Sequence, residues 1–521
     1  MNDPSPARAR TMLVVLDGWG VAPPSKGNAL AQARTPTIDA LERTYFATPL
    51  QASGIAAGLP WGEVGNSEVG HMNMGAGRIV YQYLPRITNE VRDGSFFKNE
   101  AFLKAVAHVQ RNNSRLHIMG LLTTGTVHAS IDHLSGLLDL ATRNNLREVI
   151  VHPFTDGKDS DPKAAGHLMP ELTKKLQPFT YKRPGSILGR LYAMDRNNDW
   201  GLTQRAYRTL TQGTERPTED PVKYLEENYR NGIADYDIEP VSVVQNGTPI
   251  PRIADNDAVI FFNFREDSAR QLTKAFVLPD EEFTGFARTK LNNLLFVGMT
   301  EYEAGLPIVV AYPPPHITQS LAEVLSANAK RQLHVAETEK YAHVTYFFNG
   351  EQEQPFPGED RILVPSRGAP HFENNPEMQA YEITRNVLER TDEYDFYLIN
   401  FANADMLGHM GNVPVLLEGI EAVDACIASL KSACIQRGIS LLITADHGNA
   451  EDMLEVHTGA VRTRHSGNPV PFYLVDERYR ANNLTPLYDQ EPSGILADIA
   501  PTILQLMGLP QPPEMTGSPL I

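Results

Sequence analysis

The sequence predicts an α/β protein in two parts: one domain assembled from both chain ends, and a second α/β domain inserted between them. Three observations predict this. The chain has 521 residues, more than one compact core usually carries. Apolar, strand-like runs within 11–17, 394–411 and 440–452 end in carboxylates or imidazoles beside glycine. Such runs suggest one parallel sheet with a site along the edge where its strands finish. Between about 83 and 312, a separate series of strand signals alternates with helical stretches.

The elements follow in chain order. TMLVVLD (11–17) is an apolar run closed by Asp17 and the turn formers Gly18, Trp19 and Gly20. GEVGNSEVGHMNMGAGR (62–78) sets Ser67 among glycines, and GAGRIVYQ (75–82) reads as a strand crossing toward the insert. The inserted strands are RLHIMGLL (115–122), REVIVHPFTD (147–156), DAVIFFNF (257–264) and NLLFVGMTEY (293–302). AYPPPH (311–316) carries three prolines, which favour an extended, semi-rigid connector that would serve as a hinge. The expected domains are therefore 1–82 with 313–521, and 83–312. No internal repeat or low-complexity tract is present.

Composition narrows the class. Hydrophobic residues make up 42% and charged residues 21%, as in an ordinary globular protein. No apolar run approaches the roughly 18 residues that span a bilayer. The opening MNDPSPARAR leads directly into a core strand and does not read as a signal peptide, so a cytoplasmic address and no membrane partner are expected. Cys426 and Cys434 lie in a helical pattern, where they read as packing residues in a reducing compartment. Lys plus Arg is 46 against 63 Asp plus Glu, a net charge of −17, which argues against a nucleic-acid partner. A small anion remains compatible with a few converging Arg and Lys.

The chemistry-bearing residues fall at strand ends. NADMLGH spaces Asp405 and His409 four apart, on one face if the segment is helical. TADHGN supplies adjacent Asp446 and His447, whose side chains point different ways, so one loop can serve two metals. RTRHSGNPVPF adds His465, with Asn468 and Pro469 shaping the loop, and LDGWG adds Asp17. Any one of these motifs alone would pass for a turn or a helix cap. Together they describe mixed oxygen and nitrogen ligands for divalent Mn²⁺, Zn²⁺, Mg²⁺ or Co²⁺. Ser67 is the candidate nucleophile: a metal would lower the pKa of its hydroxyl, and no partner histidine base is then required.

LDGWG, GNSEVGH, GRLYAMDR, NFREDSARQLT, ETEKYAHVTYFFNG, NFANADMLGH, TADHGNAED and HSGNPVPF, in this order over nearly the whole chain, resemble the motif series of the cofactor-independent phosphoglycerate mutases of the alkaline-phosphatase superfamily. The resemblance implies an alkaline-phosphatase-like domain and an inserted transferase domain. It implies one metal on Asp17, Ser67, Asp446 and His447, and another on Asp405, His409 and His465, with Mn²⁺ expected first. Ser67 would take the phosphoryl group of 3-phosphoglycerate and return it to the 2-hydroxyl, without 2,3-bisphosphoglycerate. Lys340 and Arg265 would neutralise the group in transfer, and Asp159 would shuttle a proton. His128, Lys158, Arg190 and Arg196 would hold the small phosphorylated acid. The family also implies a monomer.

Four departures stand out against the family's usual run. DGKDS places Lys158 where Arg is usual, and REDS places Ser268 where a second Arg is usual. TTGTVHAS and SRGAPHFEN replace other common runs. Lys offers a point charge where Arg grips a carboxylate at two points. Compensation by Lys158 and Arg270 is one reading. The alternative is a diverged phosphoryl or phosphonyl transferase or hydrolase acting on a different acid.

Overall fold

The computed structural model describes residues 9–369, 371–455 and 457–521. Residues 1–8 of the opening segment and Pro370 of SRGAPHFEN lie outside them. The chain divides after Gln82 and again after Pro314.

The unit built from the two chain ends holds an eight-stranded sheet. Its order is Glu359–Val364, Gln332–Glu337, Phe396–Phe401, Arg10–Leu16, Ile439–Thr444, Val470–Val475, Phe46–Gln51 and Gly494–Ile495. The first five strands are parallel, and Val470–Val475 runs antiparallel to both of its neighbours. The three central strands are Val, Ile and Leu-rich runs buried almost throughout, as a sheet covered on its faces requires. Register brings their ends level: Leu16 pairs with Phe401, and Val15 pairs with Thr444. Asp17, the NADMLGH segment and Asp446 therefore leave the sheet side by side. The helix Val413–Arg437 packs against Ile439–Thr444 and ends at Gly438, whose φ of 61° suits a residue without Cβ. Cys426 and Cys434 are buried in that helix as free thiols.

The inserted unit has a seven-stranded sheet in the order Val309–Tyr312, Leu295–Thr300, Ala258–Phe261, Leu116–Leu122, Val149–Thr155, Ser186–Gly189 and Val241–Ser242. All pairings are parallel except the last. Leu122 pairs with Thr155 and Thr155 with Gly189, so Thr123, Asp156 and Arg190 emerge at one edge.

One expected strand is absent. GAGRIVYQ forms no strand, because the helix Ser67–Ala76 occupies its first residues and stops at Gly77 with φ 61°. The following segment is pinned singly, Val80 N donating to Asn73 Oδ1 and Gln82 N to Gly58 O. Among the described residues, no helix is long and apolar enough to cross a membrane.

Candidate functional site

Ser67 occupies the first position of the helix Ser67–Ala76, capped by Asn66, whose side chain accepts from Val69 N at 3.0 Å. The Asn66 cap coexists with a buried serine aimed inward. Ser67 Oγ lies 3.0 Å from His447 Nε2, 3.2 Å from Asp17 Oδ1 and 2.8 Å from Lys340 Nζ. A Cβ on Gly70 would press into Asp446, so glycine is what lets this helix approach the Asp446 loop.

The seven expected ligand residues converge. Asp405 and His409 share the helix Asn403–Met410, and Asp405 Oδ1 lies 3.2 Å from both His409 Nε2 and His465 Nε2. Two ring nitrogens face each other at 3.1 Å, His409 Nε2 and His465 Nε2. Their other nitrogens sit on backbone carbonyls, His409 Nδ1 on Thr463 O at 2.7 Å and His465 Nδ1 on Gly65 O at 2.8 Å. A carbonyl only accepts, so each Nδ1 carries a proton, and in the neutral ring each Nε2 presents its lone pair toward Asp405. Such lone pairs converging on a carboxylate match a cation site. His447 Nδ1 similarly faces Gly448 O at 3.2 Å.

Around Ser67 the charge is unbalanced. Asp17, Asp405 and Asp446 are buried, and Lys340 is the cation among them, 2.6 Å from Asp17 Oδ1 and 2.8 Å from Asp405 Oδ2. Asp446 Oδ2 is buried, with His71 Nδ1 3.3 Å away. Three buried carboxylates exceed the charge of the Lys340 ammonium even when a protonated His447 is added to it. Burial opposes charge on Lys340, yet Asp17, Asp405 and Asp446 outweigh it and raise its pKa. Burial likewise works to lower the His447 pKa, but Asp446, Asp17 and Asp405 lift it to about 9. The donor set thus fits divalent cations, in two clusters: Asp405, His447 and His465, and Asp17, His71 and Asp446. This grouping differs from the expected one in using His71, in putting His447 with Asp405 and in leaving out Ser67 and His409; His447 Nε2 lies between the two, 3.5 Å from Asp17 Oδ1 and 4.0 Å from Asp405 Oδ1.

Sequence reasoning missed the residues that hold these ligands. His71 Nδ1 meets Ser67 O at 2.8 Å, while Asn400 Nδ2 donates to Asp17 Oδ2 at 2.8 Å and lies 3.1 Å from His71 Nε2. Asn449 Nδ2 donates to Asp405 Oδ1 at 2.8 Å. His71 stands four residues after Ser67 on a helix, the same spacing that identified Asp405 and His409. Asn400 offers a weaker signal, a polar residue inside an apolar strand.

The inserted unit gathers its own cluster. Arg190 Nη1 bonds Asp156 Oδ1 at 2.6 Å and Asp159 Oδ2 at 2.5 Å, and Arg190 Nη2 meets His128 Nε2 at 2.9 Å. Asp267, which the sequence reading passed over, takes Arg196 Nη1 at 2.6 Å and Arg265 Nε at 3.3 Å. Burial and the neighbouring Arg190 lower the His128 pKa to about 4. Asp156, also unforeseen, carries the strand-end signature of Asp17. Lys158 meets this cluster only through its backbone N–H, which donates to Asp156 Oδ1 at 3.2 Å, and the side chains of Lys158 and Arg270 are held elsewhere. The Lys158 ammonium sits 4.2 Å from the Tyr236 ring centre, and Arg270 is held by Tyr302 O at 2.9 Å and Glu303. Ser268 binds Asp267 through both its N–H and its hydroxyl.

The chain matches the Metalloenzyme superfamily over residues 9–511. It is 46% identical over 511 residues to the 2,3-bisphosphoglycerate-independent phosphoglycerate mutase of Moorella thermoacetica, covering 98% of each chain. Identity to the enzyme of that name from Clostridium perfringens is 45% over 513 residues, again 98% of each. A solved Leishmania mexicana phosphoglycerate mutase is 30% identical, with a TM-score of 0.54 over 99% of this chain and 98% of that one. This similarity spans both units and does not favour the alternative of a diverged transferase or hydrolase. A serine at a helix start that meets carboxylates and imidazoles at one buried point, in a sequence alike over 98% of its length, places this chain in the 2,3-bisphosphoglycerate-independent phosphoglycerate mutase family of the metalloenzyme superfamily.

Proposed function

We propose that this chain interconverts 3-phosphoglycerate and 2-phosphoglycerate through a phosphoserine at Ser67. The observation that carries the reading is the placement of Ser67 Oγ, buried within 3.2 Å of Asp17, His447 and Lys340. Asp17, Ser67, Asp446 and His447 would hold one divalent ion, and Asp405, His409 and His465 the other. Bound there, such ions lower the pKa of a serine hydroxyl and neutralise phosphoryl oxygens. Mn²⁺ is the ion we assign first; the Leishmania structure was determined at low cobalt concentration.

The chain's own groups do the rest. Ser67 Oγ forms a bond to phosphorus as the bond from phosphorus to the 3-oxygen of glycerate breaks. Lys340 and Arg265 balance the charge of the group in flight. Asp159 gives a proton to the departing oxygen and takes one from the 2-hydroxyl that accepts the phosphoryl group back. His128, neutral at working pH because its pKa lies near 4, binds substrate by hydrogen bonding, while Arg190 and Arg196 hold the carboxylate. In this reading Arg196 and Arg265 exchange Asp267 for the substrate's anionic groups. Lys158 acts as a charge beside the cluster, since Tyr236 holds its ammonium. Exclusion of water during transfer would keep the phosphoserine from hydrolysis. We further assign a cytoplasmic monomer with no nucleic-acid partner.

A coupled assay with 3-phosphoglycerate and Mn²⁺, free of 2,3-bisphosphoglycerate, tests this. Formation of 2-phosphoglycerate is expected. Stoichiometric phosphate release would make the chain a phosphatase, and no turnover in metal-loaded protein would refute the substrate assignment.

A further inference from the structure

Outside the ligand set, one buried carboxylate ties the site's loops together. Glu451 is 3% exposed and accepts four hydrogen bonds. Gly20 N at 3.0 Å and Asn449 N at 2.9 Å donate to Oε2. Ser466 Oγ and Asn468 Nδ2, the latter at 3.0 Å, donate to Oε1. These donors lie on three loops, and each loop carries candidate ligands: Asp17 on the first, Asp446 and His447 on the second, His465 on the third. The second and third are also joined by Ser466 N donating to Gly448 O at 3.0 Å.

Packing closes the arrangement. A Cβ on Gly20 would collide with the Glu451 carboxyl, and one on Gly448 would collide with both Ser466 Oγ and Glu451 Oε1. The second glycine of LDGWG and the glycine of TADHGN are therefore the space that this carboxylate needs. Among the described residues no Lys, Arg or His donates to it, so its task is to accept from neutral donors fixed in position.

We propose that Glu451 is a positioning residue, setting the spacing at which the loops of Asp17, His447 and His465 deliver their ligand atoms. It touches neither Ser67 nor the substrate cluster, and the inference rests on the reading that those loops bind divalent ions. Four donors converge on Glu451, which suits a carboxylate with about four lone-pair sites. A glutamine amide supplies a single acceptor oxygen. The backbone N–H groups of Gly20 and Asn449 cannot turn away, so that oxygen must serve them, and the amide NH₂ would face Asn468. Ser466 Oγ can rotate to accept, which leaves Glu451→Gln a partial substitute, whereas Glu451→Ala frees all three loops.

The test is a Mn²⁺ titration of metal-stripped protein by calorimetry, in the wild type, Glu451→Ala, Glu451→Gln and Ser466→Ala, with circular dichroism to confirm folding. Residues that orient ligands without binding metal typically change metal affinity by about 10–100-fold. Weakening in that range is expected for Glu451→Ala, a smaller loss for Glu451→Gln and the smallest for Ser466→Ala. At saturating Mn²⁺ the KM for 3-phosphoglycerate should stay unchanged while the Mn²⁺ concentration for half-activation rises. Wild-type affinity in every variant, even with a lowered melting temperature, would reduce Glu451 to a structural brace and overturn the inference alone. If Glu451→Ala does not fold, Glu451→Gln and Ser466→Ala decide by the same titration. Absence of Mn²⁺ binding by the wild type would overturn both this inference and the reading beneath it.

Discussion

Ser67 could not be told from a helix cap by its sequence neighbours, and it stands directly after one. Its chemical character comes from partners 273 to 380 residues away, Lys340 and His447, together with Asp17. Removing its hydroxyl should therefore abolish transfer without disturbing the helix, which Asn66 caps. Ser67→Ala is expected to lose at least about 10³-fold in kcat, as serine nucleophiles do, while circular dichroism and melting stay near wild type. Steady-state kinetics within tenfold of wild type would remove Ser67 from the mechanism. Lys158 teaches the complementary lesson. Its replacement of Arg was legible in DGKDS, but its engagement with Tyr236, and that of Arg270 with Tyr302 and Glu303, required coordinates. Those positions leave Lys158 a charge beside the cluster and tie Arg270 to Tyr302 and Glu303.

At the scale of elements, two buried groups give stability opposite pH dependence. Glu337 ends the strand Gln332–Glu337, accepts from Ser366 Oγ at 2.9 Å, and has its Oε1 without a hydrogen bond among the described residues. Burial raises its pKa from 4.5 to about 7. The folded state therefore holds this proton more tightly, and stability is lost as pH rises from 4.5 through about 7. Glu337→Gln should recover up to about 3 kcal/mol at pH 8 and little at pH 4. Urea midpoints measured at both values check it, and equal shifts at both would refute it. His133, on the inserted helix Ile131–Arg143, is lowered from 6.5 to about 4 by burial. Its contribution is complete above 6.5 and disappears as pH falls through about 4. In His133→Leu the decline in stability between pH 7 and 4 should be shallower by about 3 kcal/mol, again from denaturation midpoints. An unchanged slope would show that His133 is not the titrating group.

For the molecule as a whole, metal dependence and containment of the phosphoserine are the telling properties. Stripping the protein with a chelator should abolish mutase activity, and Mn²⁺ should restore it without 2,3-bisphosphoglycerate. During turnover, phosphate release should stay below about one part in a hundred of 2-phosphoglycerate formed, since a mutase must exclude water from its intermediate. A colorimetric phosphate assay run beside the coupled assay measures this. Activity surviving chelation would break the link between the carboxylate and imidazole set and catalysis.

Much of this was readable from the chain alone, for a definite reason. Parallel strands buried on both faces are written as apolar runs, and the polar residue closing each run marks the sheet edge where function collects. Asp17, Asp405 with His409, and Asp446 with His447 were found in that way, and helical spacing placed the second pair on one face. GAGRIVYQ failed as a strand because the pattern of its apolar residues cannot reveal that a helix begun at Ser67 reaches Ala76. Tertiary structure decided everything that depends on register and approach between distant segments. It turned the Nε2 atoms of His409 and His465 toward Asp405 and brought His71 and Asn400 behind the ligands. It also put Glu451 where three loops meet. A hydrogen bond between residues hundreds of positions apart leaves no local periodicity in a sequence; only the folded chain, by making them neighbours, gives those residues their chemistry.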